Sequence, residues 1–207
     1  SAAGVALLRA AKADGLPITA DVSINSLHLT DVDIGFFNPA MRLTPPLRQG
    51  GDRDALRAAL ADGTLDALMS DHTPVEGDMK TLPFGEAEPG ATGLELLLSL
   101  ALKWGADSGL PITTTLARVT SGPVRVLGDA LGSLASSAGQ LVPGGVADVC
   151  IFDPDATWTV QPGSLLSQGK HTPFAFEATG MALPGRVRAT LVAGTVAYAA
   201  PAAPSAA

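Results

Sequence analysis

The stretch LDALMSDHTPVEGDMK, residues 65–80, decides how the fold of this sequence is interpreted. Its apolar beginning predicts a short strand, and Asp71, His72 and Pro74 follow where that strand ends. In a barrel of parallel strands, the carboxyl ends of the strands form the catalytic face. Asp71 at such a position can take a proton from a metal-bound water or bind the metal itself. The alternative is that Asp71 caps the loop by accepting backbone amides, with His72 packed under it.

The segments around this stretch alternate between helix and strand patterns. Apolar residues at helical spacing predict a helix over residues 4–14, and the run at 16–24 predicts the strand after it. The same order recurs where a helix predicted over 53–63 precedes the strand at 65–70. This alternation indicates an α/β architecture.

Three further helices are predicted downstream. A capping box, in which Thr92 and Glu95 bond each other's backbone amides, predicts a helix from about Gly93 to Trp104. Pro123 divides the next helical stretch into two short helices, because proline ends one helix and suits the first turn of another.

Short runs rich in Val, Ile and Thr replace the helices beyond residue 140, and one of them predicts a hairpin that turns at Ala193 and Gly194. We therefore divide the chain into part of a barrel over 1–139, a small β domain over 140–199 and a flexible tail over 200–207. The β domain should pack against the barrel part, since its apolar runs expose too much surface alone. A closed barrel needs about 250 residues. We therefore expect these 207 residues to be the later part of something larger.

Composition and charge limit the possible partners. The chain is 46% hydrophobic, which predicts a packed core, and its formal net charge of −7 argues against binding nucleic acid or an anionic membrane. The single cysteine, Cys150, lies in an apolar run where a strand would bury it. Without a disulfide framework, signal peptide or membrane span, the sequence indicates a cytoplasmic protein.

The histidines do not form a recognisable metal motif. A zinc site needs about three His, Cys or carboxylate ligands close together, whereas His28, His72 and His171 are far apart in the sequence. His28 alternates with two leucines, which favours a solvated side chain at a strand end. Gly90 and Gly93 precede a helix, where their amides can contact an anionic group or where they can simply allow a tight entry into the helix.

Several ordered segments together resemble the C-terminal half of class I dihydroorotases, in the amidohydrolase superfamily. The segments are DGTLDALMSDHTPV (62–75), PFGEAEPGATGLELLL (83–98), GGVADVCIFDPDATWTV (144–160) and GKHTPF (169–174). The resemblance implies an α/β fold made of the C-terminal portion of a (β/α)8 TIM-type barrel plus a small β-sandwich-like domain. It also implies that the family's His-x-His metal pair belongs to an N-terminal half outside this chain.

The resemblance implies roles for individual residues, and several of these positions are substituted. In the family motif Asp-His-Ala-Pro-His, the Asp is a metal-associated proton shuttle and the last His touches substrate; Asp71 matches the former, and Val75 replaces the latter. A family Pro-His-His-Leu segment supplies a zinc ligand, but Asn25 and Ser26 stand at its two histidines. Thr44 stands where a substrate-binding Asn precedes Pro-Pro-Leu-Arg.

Pro89 and Gly90, in the segment EPGATGLE, match two further family positions that bind substrate. Asp71 is thus the remaining candidate metal ligand. An amide such as Asn25 binds zinc weakly, and Val75 cannot hydrogen-bond. Active family members hold zinc, but we expect none to be bound tightly here.

The pattern resembles dihydroorotase-like homologues that lack catalysis and associate with aspartate transcarbamoylase in bacterial pyrimidine synthesis. The alternatives are an active zinc-dependent dihydroorotase and a ring-opening enzyme of changed substrate, such as a hydantoinase relative. The expected partners are aspartate transcarbamoylase and, across open strand edges, the N-terminal half of the barrel or another copy of this chain.

Overall fold

The computed structural model describes residues 1–175 and 180–201. Its helices are α1 (Ala2–Ala13), α2 (Ile24–His28), α3 (Gly50–Asp62), α4 (Leu97–Asp107), α5 (Ile112–Ala117) and α6 (Ser121–Leu127). Its strands are β1 (Asp21–Ser23), β2 (Ala67–Met69), β3 (Val149–Thr159), β4 (Ala182–Val192) and β5 (Thr195–Ala199). Most of the predicted flexible tail, residues 202–207, lies outside the described residues.

Two helix-then-strand units build the first part of the chain. Helix α1 precedes β1 and helix α3 precedes β2, and the two strands pair in parallel with Val22 opposite Leu68. The strands are shorter than predicted, three residues each. Because they run in the same direction, the residues that follow β1 and β2 meet at one edge of the sheet.

Ionic contacts fix the opposite, amino-terminal edge of this sheet. The Asp66 carboxylate accepts from Lys12 Nζ at 2.8 Å and from the Ala20 amide at 2.9 Å. The Asp66 amide in turn donates to the Ala20 carbonyl at 2.8 Å. These contacts set the start of β2 against the start of β1.

Helix α4 forms the centre of the core. Its residues Leu100, Ala101 and Trp104 are buried and belong to one cluster with Ile24 and Leu60, which come from α2 and α3. Fully burying a leucine-sized side chain contributes about 2 kcal/mol, so this cluster is a main source of stability. None of the helices in the described part of the chain combines the length and apolar character that crossing a membrane requires.

The start of α4 differs from the predicted capping box. A 3₁₀ turn, Leu94–Leu96, precedes α4. The Thr92 amide and hydroxyl instead donate to the carbonyls of His171 and Gly169, at 2.7 and 2.6 Å. Glu95 accepts from two amides at residues 166–167. Bonds to a distant segment therefore replace the local reciprocal pair.

Strands β3, β4 and β5 form an antiparallel sheet in that order. The β4–β5 hairpin turns at Ala193 and Gly194, both at positive φ of 48° and 80°, which confirms the predicted turn. Helices α5 and α6 on either side of Val119 and Thr120 likewise confirm the two short helices predicted around Pro123.

The sheet packs on α4, as its apolar runs predicted. Ser99 of α4 donates to the Gly185 carbonyl at 3.2 Å and accepts from the Trp158 indole at 3.0 Å, and Leu183 is fully buried in the core cluster. Cys150, by contrast, is exposed, so its predicted burial is wrong. It lies on a stretch of β3 that pairs with the far end of β4, away from the part that α4 contacts.

Candidate functional site

Asp71 lies just beyond β2, at the edge where the carboxyl ends of the two parallel strands meet. Its carboxylate oxygen Oδ2 accepts from Ser23 Oγ at 2.7 Å and from Asn25 Nδ2 at 3.3 Å. Asp71 has a positive φ of 51°, a conformation that Asp tolerates better than most residues. The alternative in which Asp71 accepts backbone amides is not what the structure shows, because its hydrogen bonds come from side chains.

Ser23 is placed by two roles at the end of β1. It is the N-cap of α2, and its Oγ accepts from the Asn25 amide at 3.1 Å. Its hydroxyl hydrogen is then directed to Asp71. Both Ser23 and Asn25 are buried, with exposed fractions of 8% and 3%. Ser23 was not among the predicted site residues, because residues 16–24 were predicted to form a strand and the short helix that Ser23 caps was not expected.

His72, rather than Asp71, bonds the backbone amides. Its Nδ1 accepts from the amides of Gly93 and Leu94, both at 3.2 Å, so the neutral ring carries its proton on Nε2. This contact ties the loop after β2 to the 3₁₀ turn before α4. The two amides are used within the protein and are not available to an anionic ligand.

Close backbone packing explains the glycines before α4. A Cβ on Gly93 would lie 2.1 Å from the Ser70 carbonyl oxygen, and one on Gly90 would lie 2.5 Å from that of Thr73. Gly90 also has a φ of 144°. The structure therefore favours the tight-entry explanation of these glycines over an anion-binding one.

The remaining predicted substrate-binding residues lie near Gly90 but do not form one cluster. Val75 is buried and lies against Gly90, whereas Thr44 and Pro89 are exposed. Beside Val75, an open cleft of about 540 Å³ runs between residues 74–78 and 167–169. Glu76 and Asp78 line it, and its lining in the described residues contains no Lys or Arg.

The histidines away from Asp71 have structural contacts. His28 lies in α2, not at a strand end in solvent, and its Nε2 donates to the Leu100 carbonyl at 2.9 Å. Burial lowers the pKa of His28 from 6.5 to about 4, with smaller contributions from neighbouring charges. Burial and the nearby Lys80 charge lower the pKa of His171 as well.

Lys80, a second residue that was not predicted from the sequence, joins two segments near the candidate site. Its Nζ donates to the carbonyls of Pro39 and Arg42 at 3.2 and 3.0 Å, and burial lowers its pKa from 10.5 to about 8. Arg42 also accepts from the Gly90 amide through the same carbonyl, at 2.9 Å. Lys80 therefore holds the segment before Thr44 against the loop that carries Gly90.

The residues around Asp71 do not fit a zinc ion. A zinc ligand must offer a free lone pair, but Ser23 and Asn25 direct hydrogens at Asp71, and His72 Nδ1 already accepts two amides. His28 faces Leu100. Across residues 1–175 and 180–201, no group of three or more His, Cys, Asp or Glu side chains is arranged to hold a metal ion.

Comparison with solved structures identifies the fold. The chain superposes on L-hydantoinase (dihydropyrimidinase) from Arthrobacter aurescens with a TM-score of 0.82 and 28% identity, covering 94% of this chain and 42% of that one. It superposes on D-hydantoinase (dihydropyrimidinase) from Thermus sp. with a TM-score of 0.81 and 25% identity, covering 93% and 42%. The fold is that of the amidohydrolase barrels, of which this chain forms a part.

No family model matches the chain. Curated sequences nevertheless identify its relatives within the amidohydrolases. A dihydroorotase-like protein from Pseudomonas putida is 43% identical over 96% of this chain and 44% of its own length. A dihydroorotase from Anaeromyxobacter dehalogenans is 38% identical over 96% and 44%. The chain is thus a relative of the dihydroorotases and dihydroorotase-like proteins, which confirms the resemblance seen in its motifs. It spans less than half the length of these relatives.

Proposed function

We propose that the protein containing this chain is a dihydroorotase-like protein of pyrimidine biosynthesis with little or no dihydroorotase activity. The observation that carries this proposal is the pair of donors on Asp71, because Asn25 stands where active relatives are expected to supply an imidazole ligand. Asp71 Oδ2 is already bonded to Ser23 and Asn25. A proton shuttle for a metal-bound water needs that carboxylate to face the reacting centre.

The cleft beside Val75 supports the same proposal. Dihydroorotate is a carboxylate, so its binding needs a cation or several donors. The cleft beside Val75, which Asp71 does not line, instead presents Glu76 and Asp78, and Val75 contributes no hydrogen bond. Like charges that face an anionic substrate disfavour binding.

We propose aspartate transcarbamoylase as the partner of this protein. The proposal is supported by the resemblance to non-catalytic homologues that bind this enzyme, and by the dihydroorotase-like names of the Pseudomonas putida and Pseudomonas aeruginosa relatives at 43% and 42% identity. The test is to mix the full-length protein with aspartate transcarbamoylase from the same organism and to measure the mass by light scattering. A shared peak of constant stoichiometry supports the proposal, and two independent peaks contradict it.

The second candidate function is an active zinc-dependent dihydroorotase or a hydantoinase-like ring hydrolase. The observation that favours it is Asp71 itself, which stands at the carboxyl end of β2 in a fold shared with the hydantoinases. In that case Asp71 would be the proton shuttle, and most metal ligands would come from outside this chain.

Zinc content and turnover of the full-length protein separate the two functions. We expect well below one zinc per chain and no ring opening of dihydroorotate or hydantoin. The double variant Asn25→His/Ser26→His restores both imidazoles and should raise the zinc content, whereas the control His28→Gln, away from Asp71, should not. Near-stoichiometric zinc with turnover in the unmodified protein would establish the second candidate.

We also propose that the two-stranded β1–β2 sheet is completed by other strands, either from the N-terminal half of the same barrel or from another copy. Parallel strands are normally covered on both sides, and open edges invite pairing. A purified 207-residue chain that sediments as a compact monomer and melts cooperatively, without a companion peptide in mass spectrometry, would contradict this proposal.

A further inference from the structure

Three polar side chains join the carboxyl ends of β1 and β2. We infer that Ser23, Asn25 and Asp71 form a hydrogen-bonded latch that holds the two strand ends together without any metal ion. The latch is a structural assignment that goes beyond the proposed function, because it says what the altered site does for the fold rather than which reaction is lost.

Both donors converge on a single atom. Ser23 Oγ and Asn25 Nδ2 lie 2.7 and 3.3 Å from the same oxygen, Asp71 Oδ2. The donors and the acceptor are separated by 48 and 46 residues in the chain. The contacts therefore connect the β1–α2 junction to the loop that leaves β2 and are not local turn bonds.

Local hydrogen bonding and burial orient the two donors towards Asp71. Ser23 Oγ accepts from the Asn25 amide at 3.1 Å, which orients its hydroxyl hydrogen towards Asp71. Both donor residues are buried, so hydrogen bonds to the carboxylate are stronger than they would be in water. Leaving the carboxylate without them would cost the desolvation of a charged group.

The backbone of Asp71 adopts a positive φ in the loop that leaves β2. Its φ of 51° lies in the left-handed region, which Asp tolerates better than most residues and which surrounding contacts help to hold. The Asp71 side chain is held by Ser23 of β1 and Asn25 of α2, and the neighbouring His72 is held by the turn before α4. The latch thus fixes the loop that leaves β2.

Exchanging the two partners tests the latch in the full-length protein. Asn25→Asp places a second carboxylate beside Asp71 Oδ2, and we expect it to raise the unfolding equilibrium constant at pH 8 by roughly tenfold or more. Asp71→Asn alone removes the charged acceptor and should also destabilise. The double variant Asn25→Asp/Asp71→Asn restores one amide and one carboxylate with their roles exchanged, and should recover most of the loss.

Controls separate the latch from a metal site and from a general effect of charge. Asp21→Asn removes an exposed carboxylate at the other end of β1 and should leave the unfolding equilibrium nearly unchanged. Treatment of the unmodified protein with EDTA should leave its melting temperature unchanged. The latch and the proposed function rest on the same two donors to Asp71, but these stability readouts do not depend on turnover, so failure of the latch and the presence of catalysis are measured separately.

Two results would overturn the latch. If added zinc raises the melting temperature of the unmodified protein, and Asn25→Asp increases that effect, the three residues form a cation site. If the double variant loses as much stability as the two single changes combined, the side chains are not coupled and the latch does not exist.

Discussion

The neutral state of His28, a partly buried residue, leads to a pH dependence that can be measured. His28 donates from Nε2 to the Leu100 carbonyl at 2.9 Å, and its ring lies at 84° to the Phe174 ring with centroids 6.2 Å apart. Burial is the largest cause of its lowered pKa; Arg57 and Lys103 lower it further, while the bond to Leu100 and the Asp107 charge oppose the shift. The pKa of about 4 in the folded protein compares with an ordinary value of 6.5.

The direction of the effect follows from which state binds the proton. Between pH 6.5 and pH 4 the unfolded chain protonates His28, whereas the folded protein keeps it neutral. The contribution of His28 to stability is therefore fully present above pH 6.5 and is lost as the pH falls towards 4. The whole loss is about 3 kcal/mol, and the part between pH 7 and pH 5 is about 2 kcal/mol.

The variant His28→Gln isolates this contribution. Glutamine retains an N–H donor for the Leu100 carbonyl but does not titrate. Urea unfolding of the full-length protein, followed by circular dichroism at pH 7 and pH 5, should show that the unmodified protein loses about 2 kcal/mol more than the variant. The control His171→Gln removes a histidine whose pKa is lowered less strongly, by burial and the Lys80 charge, and it should change the pH dependence less.

Equal losses of unfolding free energy for the unmodified protein and His28→Gln would refute this reasoning. His28 would then be protonated in the folded protein or accessible to water near pH 5. Its contact with Leu100 would not be the bond of a neutral imidazole.

Two further predictions concern the contacts around α4. Gly93→Ala should destabilise the protein by about 2 kcal/mol or more, because the added Cβ would lie 2.1 Å from the Ser70 carbonyl oxygen. The control Gly51→Ala, whose Cβ would enter open space on α3, should stabilise the protein slightly. Thermal melts of the two variants test this difference directly. Glu95→Gln weakens two charge-assisted bonds of 2.7 Å from the amides at 166–167 and should cost about 1–2 kcal/mol, measured by denaturant unfolding, with a loss near zero counting against the role of the charge.

The sequence predicted those parts of the fold that depend on local chemistry. The Ala193–Gly194 turn followed from the residue types that two-residue hairpins require, and the break around Pro123 followed from the missing amide of proline. The position of Asp71 at a strand end was also accessible, because a short apolar run preceded it. Each of these features is determined by neighbours a few residues away.

The sequence could not predict features that depend on distant partners. The Thr92–Glu95 box was replaced because carbonyls and amides from residues 166–171 compete for the same groups. Asp71 takes its donors from the end of β1 and the start of α2, more than 40 residues earlier in the chain. Cys150 is exposed because α4 contacts another part of the sheet. In each case tertiary contacts override a local pattern.

Helix α4 has a consequence for how the molecule opens. The 3₁₀ turn directly before α4 binds the 166–167 amides through Glu95, and Ser99 of α4 bonds both Trp158 and Gly185 of the antiparallel sheet. The carbonyl of Leu100, one residue later, accepts a hydrogen bond from His28 Nε2 of α2. A fluctuation that detaches α4 would therefore expose the amides of both parts of the chain to hydrogen exchange together, as one cooperative unit.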